Sequence, residues 1–392
     1  MVLVITFQVR LVDCEPEVNR SRTLYVPYMS VKQKGNSDNE SANASMSVRT
    51  GRECFRALSM PEAVTLASGV YRVRASVPSG SKATADMVQT DEAFWTIFSF
   101  HFLSGEAFTK ADCDAGLTRA VLDATTARRL FGTTDAVGRT VQLDYVDYTV
   151  AGVVADVSML ATAAYAQIWV PYTAAGAEAM SWQNDTMGPM HAIILARSSA
   201  DFDAIREETE LLRKKYNDGL QDVEVFYRGQ PDTQLAYLYR RWYAEPDVPG
   251  VMLRYAIVVI ILLLVPAVNL SGMTLSRMRR RMAEIGVRKA FGATGGELMR
   301  QVFFENLVLT LLAGIVGLAL SYVATFALNG FLFSNSMNAS LSGETALTPG
   351  MLLSPWAFIA AFAFCLLMNI LSAGIPAWRA SRMNITDAIN QR

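Results

Sequence analysis

The sequence predicts a membrane protein: an α-helical transmembrane domain of three complete spans plus the remnant of a first, joined to a large α+β domain outside the cytoplasm. Three observations predict it. Long apolar runs lie only after Pro249. Lys and Arg crowd one short loop between those runs and are missing from the next. The residues before Pro249 mix strand and helix periodicities and contain no run long enough to cross a bilayer.

Composition sets the frame. Of 392 residues, 52% are apolar and 18% charged, and the mean hydropathy is +0.23, more apolar than ordinary soluble domains. A net charge of −1 and a pI near 6.2 supply no clustered positive surface for phosphates, so no nucleic-acid partner is expected. Cys14, Cys54, Cys113 and Cys365 are scattered without CxxC spacing, and His101 and His191 stand far apart. No metal is expected, because a site needs three or four clustered ligands. An oxidising compartment would permit a disulfide between two of the first three cysteines. Cys365, inside an apolar run, reads as a small core residue.

The first complete span is placed at about residues 255–275, where no charge occurs between Arg254 and Arg277 and the length suits about 30 Å of hydrocarbon. Pro266 and Asn269 interrupt it, which neighbouring helices can accommodate. The second is placed at 307–333, with Gly314, Gly317, Ala319 and Ser321 offering a surface for close helix approach. The third, 356–378, has Trp356 and Trp378 at its ends, as interfacial belts do. Between the first and second lie Arg277, Arg279, Arg280, Arg281, Arg288, Lys289 and Arg300; from Ser334 to Pro355 there is no Lys or Arg. The positive-inside rule puts the basic loop in the cytoplasm, and everything before the first complete span outside. Arg379, Arg382 and Arg392 after the last span agree.

An outside domain needs a preceding membrane signal. Residues 1–9 (MVLVITFQV) are apolar but too short to span. They read as the outer end of a first transmembrane helix whose beginning is absent from the chain, the alternative being an edge strand of the domain.

Residues 10–247 read as the α+β domain, with room for two subdomains. Tyr71, Val73, Ala75 and Val77 alternate with Arg72, Arg74 and Ser76, the period of a half-buried strand. Val141, Leu143 and Tyr145 form one face of a hairpin whose return strand carries Tyr148, Val150, Gly152 and Val154. From His191 to Tyr227 the pattern is strand, helix, strand, a βαβ-type unit, with Phe202, Ile205, Thr209, Leu212 and Tyr216 at helical spacing. The Asn- and Ser-rich stretch Lys34 to Ser47 reads as a loop. Thr233 to Tyr243 is helical and aromatic, either a stalk or an interfacial segment.

The remainder, 248–392, holds the spans and a short cytoplasmic helix at about 281–293. At helical spacing Met282, Val287, Ala290 and Phe291 share one half, with Arg281, Glu284 and Arg288 opposite and Ile285 and Lys289 at the margins. Gly292, Gly295 and Gly296 end it and permit a turn. Such an amphipathic helix either lies in the interface or inserts in a groove on a partner.

Here the chain resembles a known family. EIGVRKAFGA, Glu284 to Ala293, is similar to the EIGIRKALGA signature of FtsX-domain permeases, including MacB and the lipoprotein-releasing permeases. PAWRASRMNITDAI, Pro376 to Ile389, resembles the family's closing pattern, with Ile385 where proline is usual. ARRLFG (Ala127 to Gly132), VGRTV (Val137 to Val141) and YTVAGVVADV (Tyr148 to Val157) resemble the MacB-like periplasmic domain. The resemblance implies four transmembrane helices, a periplasmic domain between the first two, and a bacterial inner-membrane location. It implies a permease homodimer or paralogous heterodimer, an ABC ATPase partner carrying ATP and magnesium, in some members an envelope adaptor, and lipid around the spans. It also implies that Glu284, Ile285, Gly286, Val287, Arg288, Lys289, Ala290, Gly292 and Ala293 couple to that ATPase. The function so implied is the membrane subunit of an ABC transporter for export or efflux; the alternative is an FtsX-like regulator of a periplasmic enzyme without transport.

The sequence has no GxxxxGK[ST] phosphate loop, no GxSxG elbow and no HExxH pair. No catalysis by this chain and no cofactor bound to it are therefore expected.

Overall fold

A computed structural model describes residues 11–262 and 294–328, except 38, 39, 79, 242 and 243, together with positions 264, 287, 291, 292, 359, 362–364, 366 and 367. The described residues fall into two compact units that divide between Val248 and Pro249. The first unit is α+β and consists of two lobes, the second inserted into the first.

The first lobe contains β1 (Thr23–Val26), β4 (Ala63–Ser68), β12 (Met190–Leu195) and β14 (Asp232–Thr233) in an antiparallel sheet of order β14-β1-β12-β4. A three-stranded sheet, order β13-β2-β3, joins β2 (Met29–Gln33), β3 (Ser41–Ala44) and β13 (Val223–Phe226). Against them pack α1 (Val48–Gly51), which continues into a π-turn (Arg52–Arg56), and α5 (Phe202–Asp218). Leu24, Met29, Met46, Phe55, Leu66 and Ile194 form the centre of this core. On α5 the spacing read from the sequence holds: Ile205, Thr209 and Tyr216 are buried, and Asn217 clasps β13 by donating to and accepting from the Val225 backbone at 2.9 and 2.8 Å.

The second lobe comprises β5 (Tyr71–Ser76), β6 (Lys82–Thr90), β7 (Phe102–Gly105), β8 (Arg119–Asp123), β9 (Thr140–Leu143), β10 (Val146–Val154) and β11 (Ile168–Pro171), in the order β7-β10-β8-β11-β6-β5-β9. Because β9 also pairs with β10, six of these strands close into a ring, and β7 adds to the far half of β10. Closure removes the unpaired edges that an open sheet exposes. Val73, Ala75 and Val77 point inward as their alternation predicts, meeting Leu122, Val141, Val150 and Ile168. α4 (Ala124–Phe131), capped at its start by Asp123, adds Ala127 and Leu130 to that interior. Trp169 faces the other way and meets Phe100 and Trp95, the latter on the short α2 (Phe94–Ile97). Where β7 crosses β10, Gly105 has φ +65° and a Cβ there would sit 2.2 Å from the Ala151 carbonyl oxygen, so only glycine fits.

Four expectations need correction. The strands flanking α5 belong to different sheets, so β12, α5 and β13 are not a βαβ unit. The Asn- and Ser-rich stretch is not all loop: Ser41–Ala44 pairs with β2, whose ladder overrides weak strand propensity. Tyr145 is not on the hairpin face, because Leu143 pairs with Val146 and Asp144 and Tyr145 form the two-residue turn. No disulfide forms among the described cysteines: Cys14, Cys54 and Cys113 are free and buried, the last on α3 (Lys110–Asp114), and burial pushes all three thiols up to about 12. Cys365 lies outside the described residues. The aromatic helix α6 (Gln234–Tyr239) packs on the first lobe, with Tyr237 stacked on Tyr25 of β1 at 4.5 Å.

Residues 248–262 are helical and form α7, all but Val248 in the second unit. α8 spans Gly295–Ala327. It begins well before the apolar run placed at 307–333 and is capped by Leu328; residues 329–333 lie outside the described residues. Over the described residues no helix is long and apolar enough to cross a membrane. Residues 1–10, all of 265–286 and most of 331–378 also lie outside them.

Candidate functional site: the coupling segment and the buried joints

Of the residues assigned to coupling, Val287 and Gly292 are described, whereas Glu284, Ile285, Gly286, Arg288, Lys289, Ala290 and Ala293 lie outside the described residues. The Phe291 N–H donates to the Val287 carbonyl at 3.1 Å, a bond of helical spacing between two residues that share a face of a helix. Phe291 is 89% exposed. Gly292 follows at φ +92°, the left-handed conformation in which glycine ends a helix. Thr294 then caps α8: its hydroxyl accepts from Glu297 N at 3.3 Å, and the Glu297 carboxylate accepts from Thr294 N at 2.9 Å. The bond from the Thr294 backbone holds the Glu297 carboxyl below its ordinary range. Gly295 and Gly296 therefore belong to the first turn of α8 and not to the turn before it. Thr-x-x-Glu is a capping-box signature, and it was the readable signal for this boundary.

Further along α8 the Ser321 hydroxyl donates to the Gly317 carbonyl and Thr325 to Ser321, so both polar groups are satisfied within the helix, as an apolar setting requires. At Gly314 a Cβ would lie 3.4 Å from the Phe362 ring, so this one glycine of the small-residue surface sits beside a residue of the third apolar run.

Two buried ionic joints and a third, partly buried one lie in the first unit where sequence reasoning saw nothing. Glu17 and Arg20 pair at 2.7 Å with side chains only 1% exposed. Glu17 accepts from Ala163 N and Ala164 N at 2.7 and 3.0 Å, and Arg20 donates to the carbonyls of Val12 and Leu160. The incoming chain is thus fastened to the second lobe, helped by Ser99 N donating to Pro16 O. Where the chain leaves, Arg240 forks onto Asp232 of β14 and donates to the Ala244 and Arg228 carbonyls. The third joint, Arg56 with Asp91 at 3.3 Å and Glu92 at 2.7 Å, lies between the lobes. A buried pair is invisible in one sequence because its partners are brought together by the fold, not by spacing. His191 is likewise internal: its Nε2 meets Ser45 Oγ at 2.8 Å, and burial lowers its pKa to about 4.

The sequence matches the MacB-like periplasmic core domain family over residues 15–212 and the FtsX-like permease C-terminal family over residues 256–385. The macrolide export ATP-binding/permease protein MacB of Chromobacterium violaceum is 26% identical over 307 residues, covering 78% of this chain and 43% of that protein. The protein of the same name from Escherichia coli K12 is 26% identical over 314 residues, with the same shares covered. The chain therefore spans less than half the length of these curated relatives. Among solved structures, the extracellular domain of the noncanonic ABC-type transporter YknZ from Gram-positive bacteria covers 51% of this chain and 99% of its own, at 16% identity and a TM-score of 0.36. The periplasmic region of MacB from Actinobacillus actinomycetemcomitans covers 52% and 90%, at 18% identity and a TM-score of 0.37. With one family matched across the two-lobed unit and a second across the apolar runs, this chain belongs to the MacB/FtsX family of ABC transporter permeases, membrane proteins with a periplasmic α+β domain.

Proposed function

We propose that this permease couples ATP hydrolysis on an ABC ATPase to conformational change in its periplasmic domain, driving export or efflux. The observation that carries the proposal is the segment around Val287 and Phe291: a backbone bond of helical spacing between them, an exposed aromatic, a left-handed glycine at Gly292 and a capped helix behind it, all inside the FtsX-matched region. An exposed Phe on a short helix between spans is suited to insertion in a protein groove. Under this reading Glu284 to Ala293 dock on the ATPase, which binds ATP and magnesium, and the permease works as a dimer. Residues 255–275, 307–333 and 356–378 cross the inner membrane, with Arg277 to Arg300 in the cytoplasm.

Gly286→Trp blocks close approach of the docking helix, and Glu284→Lys adds positive charge beside Arg281 and Arg288. Both variants are expected to insert normally and to lose stimulation of the ATPase and transport, measured in proteoliposomes. Full stimulation with unchanged ATPase affinity in both would remove the coupling role.

A further inference from the structure

The two lobes keep separate apolar cores, one around Leu24, Phe55 and Leu66 and the other inside the closed ring. The seam joining β4 to the end of β6 is instead polar. Gln89 N donates to Ser68 Oγ at 2.9 Å, Thr90 Oγ1 to the Leu66 carbonyl at 3.0 Å, and Tyr172 N to the Thr90 carbonyl at 2.9 Å. At its centre the Asp91 carboxyl, 1% exposed, gathers donors from both sides. Oδ1 accepts from Thr65 Oγ1 at 2.6 Å and Ala93 N at 3.1 Å; Oδ2 accepts from Leu66 N at 3.1 Å and faces Arg56 Nη1 at 3.3 Å. Arg56 is itself fixed to the Val64 carbonyl and Glu92, each at 2.7 Å.

We propose that Asp91 is a charge-dependent latch between the lobes, which tightens the seam when its carboxyl is protonated and loosens it when ionised. The geometry serves either form. Once Oδ1 carries a proton it donates to Thr65 Oγ1, and Thr65 turns its own hydrogen to Thr90 Oγ1, 3.3 Å away, which already donates to Leu66 O. The hydrogen bonds across the seam are kept, and what protonation weakens is the ion pair with Arg56 at 3.3 Å. The ionised form instead buries a charge, and burying a charge is costly unless its partners compensate.

Burial raises the Asp91 pKa to about 6 against the opposing pull of Arg56 and the bonds from Thr65 and Leu66, with Glu92 adding a smaller push upward. The other groups near it are Tyr172, itself raised by burial and touched by Arg52, and Cys113 of α3, raised to about 12; both are neutral here. With the seam open, Asp91 returns toward its ordinary 3.8. A closed-state pKa above the open-state one means that protons favour closure: the extra closure is complete below 3.8 and is lost as pH rises through 6. Between pH 7.5 and pH 5 the closing equilibrium shifts about tenfold. The Glu17–Arg20 joint is a second attachment, so loosening the seam lets the lobes pivot without parting.

The test is hydrogen exchange on the full chain in nanodiscs, followed in peptides covering residues 63–68 and 90–97 and corrected for intrinsic rates. Protection is expected to rise about tenfold from pH 7.5 to pH 5. It should be flat with pH in Asp91→Asn. In Arg56→Gln, which removes the main lowering influence on Asp91, the midpoint should move to higher pH; this readout does not depend on Asp91→Asn folding. Asp123, also raised to about 6 but at the start of α4, serves as the control: Asp123→Asn should leave the response at 63–68 in place. A flat wild-type response, a response retained in Asp91→Asn, or an unmoved midpoint in Arg56→Gln overturns the latch.

Discussion

At the scale of single residues, the first unit relies on charges placed where water does not reach. Glu17 and Arg20 satisfy one another and four backbone groups between them, with the Arg20 amide's bond to the Asp13 side chain as local support. Such a pair adds little net stability over well-packed apolar residues, yet losing one partner strands the other charge. Arg20→Met is therefore expected to destabilise the protein by about 3–5 kcal/mol. The double variant Glu17→Gln/Arg20→Met should cost no more than Arg20→Met alone, because the stranded carboxylate is gone. Denaturant unfolding of the purified chain measures both. A loss well under about 1 kcal/mol for Arg20→Met would put this joint in the class of surface pairs. Neither residue could be singled out from the sequence, since Leu160, Ala163 and Ala164 come into reach only when the second lobe folds back on the first.

Among secondary-structure elements, legibility followed how local each element's cause is. The inward set on β5 and the helical set on α5 were readable because a strand or helix face is a property of a few consecutive residues. The partner of β13 was not, since β2 lies far back in the chain and nothing in Val223–Phe226 names its sheet. The β9–β10 hairpin was found but its turn misplaced by the even alternation, which carried Tyr145 onto the strand. In the fold Asp144 and Tyr145 have φ of 43° and 74°, the left-handed pair of a two-residue hairpin turn that favours glycine at its second position. Tyr145 is 83% exposed, so truncating it sacrifices little packing. Tyr145→Gly is expected to stabilise the protein by about 0.5–1 kcal/mol through relief of the left-handed backbone, net of the added chain entropy of glycine. A thermal melt reads it as a higher Tm. A lower Tm would mean that the tyrosine ring makes contacts on which the hairpin depends.

For the whole molecule, composition sets the apolar runs apart from the residues before them, because the bilayer imposes a hydropathy boundary that local folding does not. The sequence could only allow for two subdomains. The division between lobes depends on which strands share a sheet, which pairing across the chain decides. Residues 71–171 nonetheless have what an independent fold requires: a ring of six strands, a seventh strand on β10, an interior filled by Val73, Leu122, Val141, Val150 and Ile168, and a capping helix with Leu130 turned inward. What they would lose on separation is mostly polar: the Thr65, Leu66 and Arg56 partners of Asp91, the Glu17 contacts to Ala163 and Ala164, and the bond from Ser99 to Pro16. Water can replace those bonds, whereas it cannot replace an apolar core. A fragment of residues 70–175 is therefore expected to fold alone, giving dispersed amide NMR spectra and a cooperative melt, at lower Tm than the full periplasmic part. The first lobe is asymmetric in this respect, because residues 11–69 and 188–248 must meet across the gap to complete the β14-β1-β12-β4 sheet. Collapsed, non-cooperative behaviour of the 70–175 fragment would show that the closed ring depends on the first lobe, and that the two cores form one folding unit.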